Sequence, residues 1–145
     1  MAKSEFVYVT YIRTTPEKLW AALTDAEFMK QYWFGMHCES DFTAGSPWKL
    51  VGETGEVWDA GEIVEAEPPR KLVIRWTHQK KPELKAEGPS LCTMEISPEG
   101  KATKLAITHS IERADSQLVT AVSGGWPKIL SNLKSLLETG VIATG

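Results

Sequence analysis

Two histidines and a cysteine are the side chains whose types and spacing could do chemistry in this chain. His78 ends an alternating run, Leu72, Ile74, Trp76 and His78, in which every second residue points to one face of a strand. Cys92, Met94 and Ile96 repeat the alternation, as do Leu105, Ile107 and His109. If the first two runs pair with Trp76 opposite Met94, His78 stands opposite Cys92. A tight turn at Gly100-Lys101 then sets Met94 opposite Ile107 and Cys92 opposite His109. The three would form one lateral row, roughly 5 Å per step. A His–Cys–His set with an open position is a donor set zinc accepts. Imidazole also titrates near neutrality, which makes His78 and His109 the acid–base candidates.

The plainer reading weighs against both chemistries. Inward histidines more often satisfy a local hydrogen bond, and a metal-bound histidine usually has a further hydrogen-bond acceptor behind it. No acidic residue stands out for that role. Asp59 and Glu62 share a strand on which one of the two must face inward, and the choice stays open. His37 and Cys38 are neighbours and point to opposite faces, so they cannot act together. The chain has no GxSxG, HExxH or phosphate-cradling glycine loop. Gly124-Gly125 is read as helix-start flexibility rather than an anion site. The reading therefore assigns no catalytic residue, keeping His78 and His109 as candidates. It assigns no metal, keeping His78, Cys92 and His109 as the place one would sit, and it expects no cofactor.

These side chains need elements to position them. Phe6–Ile12 is rich in aromatic and β-branched residues and predicts a strand, with Phe6, Tyr8, Thr10 and Ile12 on one face. Thr15-Pro16-Glu17 predicts a capped helix start, and Asp25 a second one. Further strands are expected over 39–42, 48–51, 57–65, 71–78, 91–97 and 103–111, separated by glycine and proline turns. Trp126, Ile129, Leu130, Leu133, Leu136 and Leu137 recur at helical spacing. Pro127 places the start of that helix at Ser123 to Gly125, with 115–122 as a separate helical piece. The fold class is thus α+β, a helix grip: a curved antiparallel sheet of six to seven strands wrapped around a long C-terminal helix, with two short helices after the first strand.

A sheet curved over one amphipathic helix leaves a hollow between them. Trp33, Phe34, Trp48, Trp76 and Trp126 are the aromatic candidates to wall it, with Met94 and Ile107 from the sheet and Ile129, Leu130 and Leu133 from the helix. His78 and His109 are its polar members. Trp58 lies on a strand whose parity is open and is not assigned. Lys80, Lys81 and Lys85, mixed with Glu83 and Glu87, read as a solvated loop that could rim the mouth.

The 145 residues suit one domain, 1–145. Sixteen Lys and Arg against 19 Asp and Glu leave a net charge of -3, which argues against nucleic acid and anionic membranes. No run is long and apolar enough to span a bilayer. The N-terminus lacks an apolar signal region, and the two cysteines form no CxxC. A cytoplasmic location with both thiols free is expected.

The stretch Tyr11-Ile12-Arg13-Thr14-Thr15-Pro16-Glu17-Lys18-Leu19-Trp20, followed by Ala22-Leu23-Thr24-Asp25, resembles the opening of the SRPBCC (START-like) superfamily. The likeness is to the branch of the C-terminal domain of the activator of heat-shock-protein-90 ATPase. Tyr32-Trp33-Phe34-Gly35, Gly61 through Pro68-Pro69-Arg70-Lys71-Leu72, and Gly124-Gly125-Trp126 fit the same pattern. The resemblance spans about residues 5–140. It implies a helix-grip fold and often a lipophilic ligand. The superfamily also holds birch-pollen-allergen-like, lipid-transfer and polyketide-cyclase proteins, so no single activity follows. The full-length chaperone activator resembles this chain only through its C-terminal half.

The expected function is binding of a small lipophilic or aromatic molecule between sheet and helix. The alternatives are a cyclase- or hydrolase-like enzyme using the histidines, and a co-chaperone-like module. A second copy of the chain is the other partner considered.

Overall fold

The computed structural model describes residues 3–144. Strand β1 (Ser4–Ile12) alternates as its sequence demands: Val7, Val9 and Tyr11 face outward and are exposed, while Ile12 is fully buried. Thr15 accepts a hydrogen bond from the Lys18 amide and opens α1 (Pro16–Thr24). Asp25 accepts from the Glu27 and Phe28 amides and opens α2 (Ala26–Tyr32). Both caps satisfy amides that a helix start leaves unpaired.

Six strands follow: β2 (His37–Ser40), β3 (Pro47–Val51), β4 (Val57–Glu67), β5 (Lys71–His78), β6 (Ser90–Glu99) and β7 (Ala102–Ile111). With β1 they form one antiparallel sheet in the order β1-β7-β6-β5-β4-β3-β2. Register shifts at Leu50/Val51 in β3 and at Ile63/Glu65 in β4 help to bend it. At Gly61 the neighbouring backbone comes so close that a Cβ would sit 1.7 Å from the Arg75 carbonyl oxygen. That approach explains a glycine in mid-strand. The fold is α+β, a seven-stranded antiparallel sheet gripped against a long C-terminal helix.

The β6–β7 hairpin pairs as expected, with Cys92 opposite His109 and Met94 opposite Ile107, because the turn at Gly100 leaves little choice. The β5–β6 pairing is a correction. Trp76 lies opposite Ser90, Ile74 opposite Cys92 and Leu72 opposite Met94, four residues away from the expected register. His78 therefore does not face Cys92; its cross-strand partner is Asp59 in β4. An even-numbered slip keeps every side chain on its own face, so apolar alternation could not tell the two registers apart. The connection between β5 and β6 is long and carries the short helix α3 (Pro82–Lys85), so no tight turn fixes the pairing. The observed register sets the bulky Trp76 indole opposite a small serine, and Ser90 Oγ donates to the Trp76 carbonyl at 3.1 Å.

The C-terminal helix is a second correction. It is one element, α4 (Gln117–Thr139), with Pro127 inside it rather than in its first turn. Ser116 caps it by accepting from the Val119 amide at 3.1 Å. Glu87, from the β5–β6 connection, accepts from the Gln117 amide at 2.8 Å. Burial of Leu118, Val119 and Trp126 before the proline and of Ile129, Leu130 and Leu133 after it holds the helix through Pro127. No helix among the described residues is long and apolar enough to cross a membrane.

Candidate functional site

Between the β4–β5 end of the sheet and the first half of α4 lies a cavity of about 540 Å³. Trp33 and Phe34 close it from the end of α2, Leu50 and Trp76 from the sheet, and Leu118, Trp126 and Ile129 from α4. Leu84 of α3 and Lys81 before it stand at the mouth, where an exposed loop was expected. Gly125 also borders the space, and a Cβ built on it meets nothing within 4 Å. The lining is thus overwhelmingly apolar, as small-molecule sites usually are.

Three indoles, Trp33, Trp76 and Trp126, line its inner wall, and Trp48 and the His109 imidazole pack behind them. Trp48 and Trp76 rings lie 4.5 Å apart, Trp33 and Trp126 5.3 Å, and Trp76 and His109 5.1 Å. The tilted and edge-on arrangements are the ones that ring quadrupoles favour. Such a wall is rigid, because each ring is braced by the next.

The two candidate histidines have opposite surroundings. His109 is fully buried. The Trp126 indole donates to its Nδ1 at 3.3 Å, so the proton sits on Nε2, which donates to Ser90 Oγ at 2.8 Å. Both ring nitrogens are thereby used, and burial lowers its pKa to about 4. It is a core residue behind the wall.

His78 lines the cavity and is 8% exposed. Its Nδ1 lies 2.9 Å from Asp59 Oδ1, and the Trp76 indole donates to the same oxygen at 2.7 Å. Its Nε2 is buried and has no partner among the described residues. Burial raises the Asp59 pKa above the ordinary carboxyl value, while the bonds from His78 and Trp76 oppose that rise. Asp59 is the acidic partner that the sequence left undecided. Glu62 faces out and pairs with Arg75.

Of the twelve candidate binding residues, Trp33, Phe34, Trp76, His78, Trp126 and Ile129 border the cavity. Phe34 does so from a half-exposed position. Trp48, Met94, Ile107, His109, Leu130 and Leu133 are buried in the core behind it. The His78–Cys92–His109 row is broken, because Cys92 is beside His109 but not beside His78. No three His, Cys, Asp or Glu side chains among the described residues cluster as metal ligands would. Cys38 and Cys92 are buried and not disulfide-bonded. Burial, partly offset by the Trp48 indole beside it, pushes the Cys38 thiol up to about 12, and burial raises Cys92 as well. Neither is a nucleophile near neutrality.

Sequence reasoning missed Asp59, Trp58, Met36, Leu50, Leu84 and Leu118 as lining residues. Trp58 sits at the rim, with Lys80 5.1 Å above its ring. The signal for Asp59 was Ile63 on the same face of β4, but the shift beyond Ile63 scrambles the strand's parity.

The family described as activator of Hsp90 ATPase homolog 1-like protein matches residues 13–138. No curated protein matches the chain. Among solved structures, protein MLL2253 from Mesorhizobium loti is 25% identical with a TM-score of 0.79, over 92% of this chain and 96% of that one. PFC0360w from Plasmodium falciparum, described as an Hsp90 activator, is 26% identical with a TM-score of 0.73, over 92% and 95%. The Aha1 dimer from Colwellia psychrerythraea shares the fold at 18% identity and a TM-score of 0.76, over 94% and 98%.

Proposed function

This chain belongs to the activator of Hsp90 ATPase homolog 1-like family, and within it we propose that the protein binds a small lipophilic or aromatic molecule in the cavity between sheet and α4. The observation that carries this reading is the wall itself. Trp33, Trp76 and Trp126 border a space of about 540 Å³, large enough for a molecule of several fused rings. Empty apolar volume of that size is costly to keep in a core, and here it opens beside a loop instead of being collapsed. The cavity belongs to one chain of 145 residues that we read as a single domain, and the two buried thiols suit a reducing, cytoplasmic setting. Native mass spectrometry after exposure to a mixture of lipophiles tests the reading. One or more retained adducts are expected; the absence of any adduct across the mixture overturns it.

A second reading, a co-chaperone-like module, is favoured by the outer row of β1. Val7, Val9 and Tyr11 are exposed together on an edge strand, an apolar surface available to a protein partner. Its test is ATP turnover by purified Hsp90. Stimulation by this protein that is lost in Val9→Lys supports it, and no stimulation removes it.

A further inference from the structure

We propose that the cavity selects a ligand with a hydroxyl donor, an aromatic alcohol such as a phenol or enol, and seats that hydroxyl on His78 Nε2. The inference rests on the reading that the cavity binds an apolar molecule, and it adds the one polar group that molecule must carry.

The tautomer follows from the neighbours. An indole N–H can only donate, so Asp59 Oδ1 is the acceptor for Trp76. The same oxygen has a second lone pair, and His78 Nδ1 lies 2.9 Å from it. Nδ1 therefore carries the hydrogen and donates it. In the neutral imidazole this tautomer leaves Nε2 as a lone-pair acceptor. It is buried on a residue that borders the cavity and has no protein partner among the described residues. Asp59 thus acts as a positioning residue, fixing both ring orientation and tautomer.

The lining supplies little that could answer Nε2 from within. Its charged or titratable members are Asp59, which is already engaged, His78 itself, and Lys81, which is exposed at the mouth. A ligand that fills the cavity packs against His78 and its unpaired Nε2. It must bring a hydrogen-bond donor to that nitrogen or leave a buried acceptor unsatisfied. A purely apolar molecule fails to do so, and an ether brings a second acceptor against the first. A hydroxyl on an aromatic frame answers both needs, with the rings against Trp33, Trp76 and Trp126 and the O–H directed at Nε2. His109 could not play this part, since both its nitrogens are engaged within the core.

Three probes of nearly one shape test the inference on the wild-type protein at mildly alkaline pH: naphthalene, 2-naphthol and 2-methoxynaphthalene. Calorimetric titration is expected to show 2-naphthol binding tighter than the methyl ether by on the order of tenfold to a hundredfold. With imidazole-15N histidine, the free protein is expected to show His78 Nε2 unprotonated. Its resonance should move on addition of 2-naphthol and stay nearly still with naphthalene. His78→Phe should erase the preference, and the 15N readout on wild type decides the matter if that variant folds poorly. Equal affinities for the three probes, or a protonated Nε2 in the free protein, overturn the hydroxyl preference and leave apolar binding standing. Tighter binding of 2-naphthoate, titrated as a fourth probe, than of 2-naphthol also overturns it, because His78 would then be acting as a donor to an anion. If no probe binds, the reading of an apolar site fails, and the inference falls with it.

Discussion

The imidazole of His78 is held at one end by Asp59, 2.9 Å from its Nδ1, and carries at the other a nitrogen with no partner among the described residues. Asp59 Oδ1 also takes the Trp76 indole hydrogen, so one carboxylate oxygen ties a cavity-wall tryptophan to a cavity-wall histidine. Replacing Asp59 with Ala leaves two buried N–H donors without their acceptor. Because burial already disfavours the Asp59 charge, the net loss should lie near the usual range for unsatisfied groups, about 1–3 kcal/mol. Urea denaturation measures it. An unchanged midpoint would mean that these bonds do not stabilise the fold.

Half of the residues expected in the wall border the cavity, and the reasons are physical. Alternation correctly assigned faces on β5, β6 and β7, because a buried face forces a period of two. The short turn at Gly100 made the β6–β7 register legible. The long connection holding α3 hid the β5–β6 register, and with it the separation of His78 from Cys92. Apolar identity could not say which residues border a space and which lie beneath. Met94, Ile107 and Leu133 are as apolar as Ile129 but sit deeper in the core. The start of α4 carries a local cap in Ser116, but Glu87 adds a contact across 30 residues that no local signal carries. The apolar stripe from Trp126 to Leu133 was legible from spacing alone.

Gly125 offers a way to separate folding from binding. It lies in a helix interior, where glycine costs about 1 kcal/mol relative to good helix formers. The space beside it is open toward the cavity. Gly125→Leu should raise stability by about 0.5–1 kcal/mol while filling the cavity and abolishing uptake of lipophiles. A thermal melt and native mass spectrometry on one sample check both. Undiminished uptake would place the ligand elsewhere.

Removing the wall should act differently from removing a charge beside it. Trp76→Ala deletes buried indole surface and should weaken binding of an aromatic ligand at least tenfold. It should also cost about 3–5 kcal/mol of stability, so titration is done where circular dichroism shows the variant folded. Lys85→Ala, at an exposed position outside the cavity lining, should leave affinity unchanged. Equal effects from the two substitutions would contradict the assigned wall.

His109 makes stability depend on pH. Its folded-state pKa is about 4, lowered by burial from the ordinary 6.5. Between those values the unfolded chain binds more protons, so stability rises with pH there. His109 should contribute fully above pH 6.5, with up to about 3 kcal/mol lost as pH falls toward 4. Among the described residues its ring meets Ser90, Trp126 and Trp76, none of them charged. The urea midpoint followed against pH should therefore fall less steeply in His109→Gln than in wild type. Parallel curves would assign the acid sensitivity to other groups.

The six tryptophans provide the most direct test of apolar binding between sheet and helix. Each gives one indole N–H signal, and their positions divide them. Trp33, Trp76 and Trp126 form the wall, Trp58 stands at the rim, Trp48 lies behind Trp76, and Trp20 is on α1 away from the cavity. Titration with 2-naphthol, followed by indole 1H–15N correlation spectra, should shift the Trp33, Trp76 and Trp126 signals saturably and together, with Trp20 unmoved. No shift at saturating probe, or shifts confined to Trp20 and Trp58, would contradict it.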